Sequence, residues 1–197
     1  IKYSSDGATW TDVTVGDINM NDICWSESLG IFLVVGYASA TVYRSSNGTN
    51  WSSSTADHSS NAVCWAEALG LFVAAGISED INYSSDGINW DSTPITGYNI
   101  QSITFSESLE RFVAITFGDT DNVLYSDDGL NWTALTVDVG TGDLGGVTFS
   151  EELGMFVIVG NVAQNNVYYS FDGENWTPVP IPGGGGLTGV CYGPERG

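Results

Sequence analysis

With 24 aspartates and glutamates, four lysines and arginines and one histidine, the chemistry open to this sequence is that of carboxylates, amides, hydroxyls and aromatic rings. Glu27, Glu67, Glu107 and Glu151 recur at 40- to 44-residue intervals. Gathered at one mouth they would hold a hard cation such as calcium, which favours carboxylate oxygens; left apart they are solvated turn residues, because like charges near one axis repel. Asp127-Asp128 and Asp119-x-Asp121 are weak as metal spacing. A glycosidase needs two carboxylates at a suitable separation, which so acidic a chain neither supports nor excludes. His58 has no histidine or cysteine partners in a ligand pattern, so zinc and histidine-based triads have no support. Cys24, Cys64 and Cys191 share one column of the same spacing and are expected to be small buried thiols. Equivalent positions of separate units are too far apart for a disulfide, which needs a Cα separation of about 4.4–6.8 Å.

What must position these groups is a repeat. Tyr83-Ser84-Ser85-Asp86-Gly87-Ile88-Asn89-Trp90 is one of five copies, whose tryptophans, Trp10, Trp51, Trp90, Trp132 and Trp176, lie 39 to 44 residues apart. Each carries an Asp-Gly or Asn-Gly pair: Asp6-Gly7, Asn47-Gly48, Asp86-Gly87, Asp128-Gly129 and Asp172-Gly173. Between alternating residues such a pair predicts a two-residue hairpin, with positive φ at both central positions. That register sets Tyr83 opposite Trp90, a cross-strand aromatic pair contributing about 0.2–1 kcal/mol beyond burial. Arg44 fills the tyrosine column in the second copy and would form a cation–π contact with Trp51. The serine and carboxylate tie the turn to nearby amides. The motif residues are therefore structural first.

The unit is clearest from Asn61 to Trp90. A short strand, Ala62-Val63-Cys64-Trp65, is followed by the apolar run Leu71-Phe72-Val73-Ala74-Ala75, readable as a strand buried on both faces. The two strands of the Asp-Gly hairpin complete it. Four strands in about 40 residues is one blade of a β-propeller, and such a sheet buries both faces only by stacking on its neighbours. The expected fold is all-β: a propeller of four-stranded antiparallel blades, five in number, with an incomplete or irregular closing blade. A single domain over 1–197 divides into repeats at about 1–15 (partial), 16–54, 55–94, 95–137, 138–180 and 181–197 (partial). The two partial units leave twelve residues, equivalent to 155–166, without a counterpart in the closing blade. Three explanations remain open: a chain that continues, an irregular blade, or an oligomer that supplies the strand in trans.

The copies, such as Ser4-Ser5-Asp6-Gly7-Ala8-Thr9-Trp10, resemble the Asp-box or bacterial neuraminidase repeat, Ser-x-Asp-x-Gly-x-x-Trp, though one residue shorter between Asp and Gly. The resemblance spans the chain and implies a sialidase-like propeller whose ligand face is the end opposite the Asp-Gly turns. On that face it directs attention to Tyr37, Ser78-Glu79-Asp80, Phe117-Gly118-Asp119-Thr120-Asp121 and Ala163-Gln164-Asn165. The interblade loops add Asp57, His58, Tyr98, Asp143 and Gly183 to Gly186. Sialidase chemistry in relatives needs an arginine triad, and Arg44, Arg111 and Arg196 lie at the wrong end of the blades to supply one.

A net charge of −20 disfavours nucleic acid, which requires clustered Lys and Arg, and anionic membrane surfaces. Runs such as Ile31-Phe32-Leu33-Val34-Val35 are too short to span a bilayer. No signal peptide is visible, and the start at Ile1 points to processing or truncation. The functional expectation is a non-catalytic binding or adhesion module, carbohydrate-directed, in an extracellular, cell-surface or virion setting. The ligand candidates are Tyr37, Asp57, His58, Asp80, Tyr98, Asp119, Asp121 and Asn165. The alternatives are an Asp-box glycoside hydrolase and a scaffold for protein partners. No cofactor is expected beyond calcium at the glutamate column.

Overall fold

The computed structural model describes all residues except 17–18, 38, 78–79, 96, 121, 141, 163–165, 183–185 and 194–197. Among the described residues there are strands and no helix. A two-stranded sheet of β1 (Lys2–Tyr3) and β2 (Thr11–Asp12) comes first. Four antiparallel sheets follow, each with its strands side by side in chain order. They comprise β3 (Asn19–Ser26), β4 (Ile31–Tyr37), β5 (Thr41–Ser45) and β6 (Ser52–Thr55); then β7 (Ala62–Ala66), β8 (Leu71–Ala75), β9 (Ile81–Ser84) and β10 (Asp91–Thr93). The third holds β11 (Ile100–Ser106), β12 (Arg111–Thr116), β13 (Val123–Ser126) and β14 (Thr133–Leu135), and the fourth β15 (Gly142–Ser150), β16 (Met155–Val162), β17 (Asn166–Ser170) and β18 (Thr177–Pro180).

First strands pack on first strands, β3 on β7, β7 on β11 and β11 on β15, so the sheets are blades turning about one axis. The second strand of each blade also leans on the first strand of the next: β4 on β7, β8 on β11 and β12 on β15. Past the last blade the chain returns to the hub. A Cβ on Gly145 would lie 2.7 Å from the Leu187 carbonyl oxygen, and one on Gly146 3.0 Å from the Gly189 Cα. Residues 187–190 thus lie against β15 where a further inner strand would stand, and the Leu187 amide donates to the Gly160 carbonyl.

Burial on both faces makes the middle of each second strand apolar, and Leu33, Phe72 to Ala75 and Phe112 to Ile115 are fully buried. Each blade stacks the phenylalanine of that strand on an aromatic of its first strand. Trp25–Phe32, Trp65–Phe72, Phe105–Phe112 and Phe149–Phe156 have centroids 4.4–4.5 Å apart, the tilted geometry that ring quadrupoles favour.

The repeated turn differs from the two-residue hairpin that its Asp-Gly pair predicts. Tyr83 pairs with Asp91 and Asn82 with Ser92, so Trp90 lies inside the connection and not opposite Tyr83. Gly87 has φ 69°, whereas Asp86 is not among the positive-φ residues, and a type I′ turn needs both. The physical reason is the aspartate side chain. Asp86 Oδ1 accepts the amides of Ile88 and Asn89 at 2.8 Å, while Ser84 Oγ accepts those of Asp86 and Gly87 at 3.3 and 2.9 Å. Side-chain acceptors thereby close a longer loop than backbone pairing alone would. Gly87 is also required by packing, since a Cβ there would lie 2.9 Å from Leu33 of the preceding blade. Trp51, Trp132 and Trp176 donate Nε1–H to the glycine carbonyl of their own turn. Arg44 faces Ser52 and not Trp51 for the same change of register; a cation–π contact forms instead between Arg111 and Tyr125, 4.8 Å from the ring centroid.

This arrangement sets the acid response. The amide of Asn89, with those of Ile88 and the Asn89 side chain, holds the Asp86 carboxyl at about 2 against the effect of burial. Burial pushes Asp128 upward, but Asn131 and Leu130 outweigh it and bring its carboxyl to about 2. A folded value below the unfolded one of about 3.9 stabilises the fold above that unfolded value and is lost as pH falls through the folded one. The melting midpoint is therefore expected to be flat from about pH 8 to about pH 5 and to fall between about pH 4 and about pH 2. Asp86→Asn keeps the amide-accepting oxygen, as Asn47 does natively toward Thr49 and Asn50 at 3.0 and 2.8 Å. It removes the charge that the low carboxyl value shows to be stabilising and leaves the Asn89 side-chain amide without its acceptor. It should therefore destabilise at pH 7 by less than Asp86→Ala, which should cost about 1–2 kcal/mol, and should make the acid limb shallower. Thermal denaturation across pH checks both.

Candidate functional site

Three of the four first strands carry a β-bulge near their start. Pairing shifts between Met20 and Asp22, between Ile100 and Ser102, and between Leu144 and Gly146, leaving Asn21, Gln101 and Gly145 as the extra residues. Bulges re-aim side chains, and these three, with Asn61 just ahead of β7, line a cavity on the axis of about 420 Å³. Asp22, Ser102 and Thr188 complete its polar wall, and Gly146 and Gly189 present bare backbone on the other side. Asn21 Nδ2 donates to Asn61 Oδ1 at 3.1 Å, and Asn61 Nδ2 to the Ile100 carbonyl at 3.4 Å. Asp22 accepts the amides of Val63 and Ile23 at 2.8 and 2.9 Å. Burial nevertheless raises its carboxyl above the ordinary range against those two bonds.

The mouth of this cavity lies at the end opposite the repeated turns. Tyr37, Ile77, Phe117 and Asn161 occupy one column where the second strand of each blade ends. Tyr37, Ile77 and Phe117 are 48%, 42% and 51% exposed. A side cavity of about 210 Å³ joins Gln101, Phe117, Asp143, Asn161, Leu187 and Thr188. A larger one of about 480 Å³ lies between residues 116–122 and 136–144 and includes Asp119, Asp138 and Asp143. Asn122 braces it, donating Nδ2–H to the Val137 carbonyl and accepting the Val137 amide at 2.8 and 2.9 Å.

Of the residues singled out in the sequence, Tyr37 stands exposed at the mouth. Asp119 lines the large cavity, and one of its oxygens accepts the Asn99 amide at 2.9 Å. His58 and Asp80 are brought together, Nε2 to Oδ2 at 3.8 Å, both partly buried. Asp57 is exposed. Tyr98 packs half-buried against a core cluster that joins two blades. Asp121 and Asn165 lie outside the described residues, as do 78–79, 163–164 and 183–185.

The glutamate column sits at the other end and acts between blades. Glu67 accepts the Ser28 amide at 3.4 Å; Glu107 accepts those of Glu67 and Ala68 at 2.8 Å, and Glu151 that of Glu107 at 2.7 Å. Glu27 accepts Trp25 Nε1–H at 2.7 Å. Hydrogen bonds from Ser28 and then Trp65 hold the Glu67 carboxyl below its usual range. Among the described residues no group of three or more His, Cys, Asp or Glu side chains is placed to share a metal ion. Cys24 and Cys64 are half-buried and Cys191 is exposed; this corrects the expectation of three buried thiols, because among the described residues no strand covers the segment carrying Cys191. Arg111 bridges two blades at the turn end, donating to Asp127 Oδ1 and Glu174 Oε1 at 2.6 Å, well away from the mouth. Arg196 lies outside the described residues.

The axial amides are the part that sequence reasoning missed. Their signal was the recurrence of Asn21, Asn61 and Gln101 at 40-residue spacing, three positions ahead of the Cys/Thr column.

No family model and no curated protein matches the chain. Solved structures do match in fold. A chain of the nidogen/laminin complex superposes with a TM-score of 0.72 at 14% identity, over 88% of this chain and 69% of that one. Virginiamycin B lyase from Staphylococcus aureus gives 0.73 at 13% over 88% and 59%, and YCF48 bound to D1 peptide gives 0.63 at 18% over 87% and 58%. All three are β-propellers. The fold is therefore a β-propeller. This propeller spans 58–69% of the length of those chains, and at such identities the likeness concerns fold alone. Four complete blades and a two-stranded fifth are described.

Proposed function

We propose that this propeller is a non-catalytic binding module of the Asp-box type, which takes a neutral carbohydrate on the face opposite its repeated turns, in an extracellular, cell-surface or virion setting. The observation that carries the reading is the shared mouth: exposed Tyr37 and Phe117 beside a cavity walled by Asn21, Asn61 and Gln101. Aromatic rings stack on the C–H faces of a sugar, and amides both donate to and accept from hydroxyls. A net charge of −20 favours uncharged over anionic sugars. Titration with a panel of neutral oligosaccharides, followed by NMR shift changes, should give dissociation constants of about 1 mM or tighter. Phe117→Ala and Gln101→Ala should each weaken binding roughly fivefold to tenfold. No shift change at sugar concentrations well above the millimolar range would overturn the reading. Turnover of a chromogenic glycoside panel, lost on replacing two facing carboxylates, would replace it with a glycoside hydrolase.

The apolar collar of Tyr37, Ile77 and Phe117 supports a second reading, a scaffold for protein partners, since exposed apolar patches often mark interaction sites. One structural neighbour is a propeller bound to a peptide. Capture of a host protein by the native propeller but not by Phe117→Ala would favour it.

A further inference from the structure

Four of the five repeated turns carry aspartate, and the second carries Asn47. The exception is chemically distinct, because Asn47-Gly48 is the one Asn-Gly pair in the sequence. Glycine has no side chain to keep its own amide nitrogen from the preceding carboxamide. Asn47 is exposed, and a Cβ on Gly48, whose φ is 72°, would meet nothing within 4 Å. Around the Asn47 carboxamide the fold gathers donors. Its Oδ1 accepts from the Thr49 amide and hydroxyl at 3.0 Å each, from the Asn50 amide at 2.8 Å and from the Ser45 hydroxyl at 3.1 Å. Donors aimed at one oxygen stabilise the negative charge it takes on when a nucleophile adds to the adjoining carbon. The Gly48 N–H donates to the same Ser45 Oγ at 2.9 Å, and Ser45 is only 4% exposed. One shielded hydroxyl thus joins the N–H that must lose a proton to the oxygen that must gain one.

The other half of the carboxamide is mismatched. Asn89, Asn131 and Asn175 donate Nδ2–H to Oδ2 of Asp86, Asp128 and Asp172 at 2.8, 2.7 and 2.8 Å. Asn50 holds their place in the second turn, but Asn47 has an NH2 group where the aspartates have Oδ2, a donor set against a donor. The corresponding carboxyls of Asp86 and Asp128 lie at about 2, so the folded turn favours a charged carboxylate at this position.

We propose that Asn47 is a self-modification site, at which the folded turn converts the carboxamide to a carboxylate with Ser45 as proton relay. The Gly48 nitrogen forms a bond to Asn47 Cγ; its proton passes to Ser45 Oγ, whose own proton passes to Oδ1. The Oδ1 proton then returns to the medium while the side-chain nitrogen takes one up, its bond to Cγ breaks, and ammonia leaves behind a cyclic imide. Water adds at Cγ, the bond from Cγ to the Gly48 nitrogen breaks, and that nitrogen regains a proton. The sum is asparagine and water to aspartate and ammonia, with no other reactant. The turn directs the opening. A carboxylate made at Cγ meets the waiting donors of Thr49 and Asn50 and restores the Gly48 N–H to Ser45, whereas opening at the main-chain carbonyl would insert a methylene into the turn.

The test is peptide mass mapping of the intact chain, freshly purified and incubated in mildly alkaline buffer. Asn47 should convert several-fold faster in the folded chain than in the same chain unfolded in urea, and the product should be aspartate and not isoaspartate. Ser45→Ala should slow the folded reaction by about tenfold or more, and Ser45→Thr, which keeps the hydroxyl, should restore it. In urea the three chains should convert alike, which separates the relay from any effect of composition. Asn47→Asp, made directly, should melt above the parent at neutral pH and lose that advantage as pH falls through the folded carboxyl value. The proposal is overturned if unfolding accelerates the conversion, if isoaspartate dominates in the folded chain, or if folded Ser45→Ala converts as fast as the parent. It is overturned equally if Asn47→Asp melts below the parent at neutral pH.

Discussion

Substituting alanine for Phe112 should destabilise the protein by about 3–5 kcal/mol and lower its melting midpoint by roughly 6–20 °C. The ring is fully buried, 4.5 Å from Phe105 and 5.9 Å from Trp132 by centroid. It belongs to a cluster that includes Ala66, Val73 and Ile81 of the preceding blade. Removing it opens a void between two blades as well as within one, and a ring of stacked sheets has few other contacts with which to close such a gap. Chemical denaturation of the variant measures the loss. A value below about 1 kcal/mol would mean that the blades repack freely and that the aromatic column is not what joins them.

Gly145→Val should detach residues 187–193 from the hub and cost about 1–3 kcal/mol. The clash is with backbone: a Cβ at this position meets the Leu187 carbonyl oxygen at 2.7 Å and the Thr188 Cα at 3.0 Å, and neither can turn aside as a side chain could. Loss of protection at the Leu187 amide, which donates to the Gly160 carbonyl, with protection elsewhere retained, is the expected hydrogen-exchange signature. Gly189→Ala supplies the control, since nothing lies within 4 Å of its Cβ position, and it should leave exchange unchanged. Because Thr188 and Gly189 also wall the axial cavity, sugar binding should weaken in the first variant.

Much of the architecture was legible because a 39- to 44-residue period repeats every packing constraint several times. The buried second strands read as uninterrupted apolar runs, and the four complete blades follow from them. The repeated turn was legible as a turn but not in its register. Asp86 can serve a hairpin as a left-handed residue or as a carboxylate acceptor, and its identity alone does not distinguish the two. The axial wall was hidden for a different reason. A bulge at Asn21, Gln101 or Gly145 breaks the two-residue alternation that assigns a side chain to a face, so counting along the strand puts these residues on no particular side. The glutamates were legible as a column, but their partners are main-chain amides of the neighbouring blade, which no side-chain spacing reveals.

That glutamate column bears on how such a protein changes length over generations. Glu67, Glu107 and Glu151 each reach back to main-chain amides at the same turn of the preceding module, so these joints are alike. Excising one whole module between successive glutamates would let Ser28 meet Glu107 where it now meets Glu67, whereas a cut out of phase would leave the rim unmatched all the way to the next joint. A gain or loss of modules in phase would thus keep these rim bonds, although the blades would still have to close about their axis.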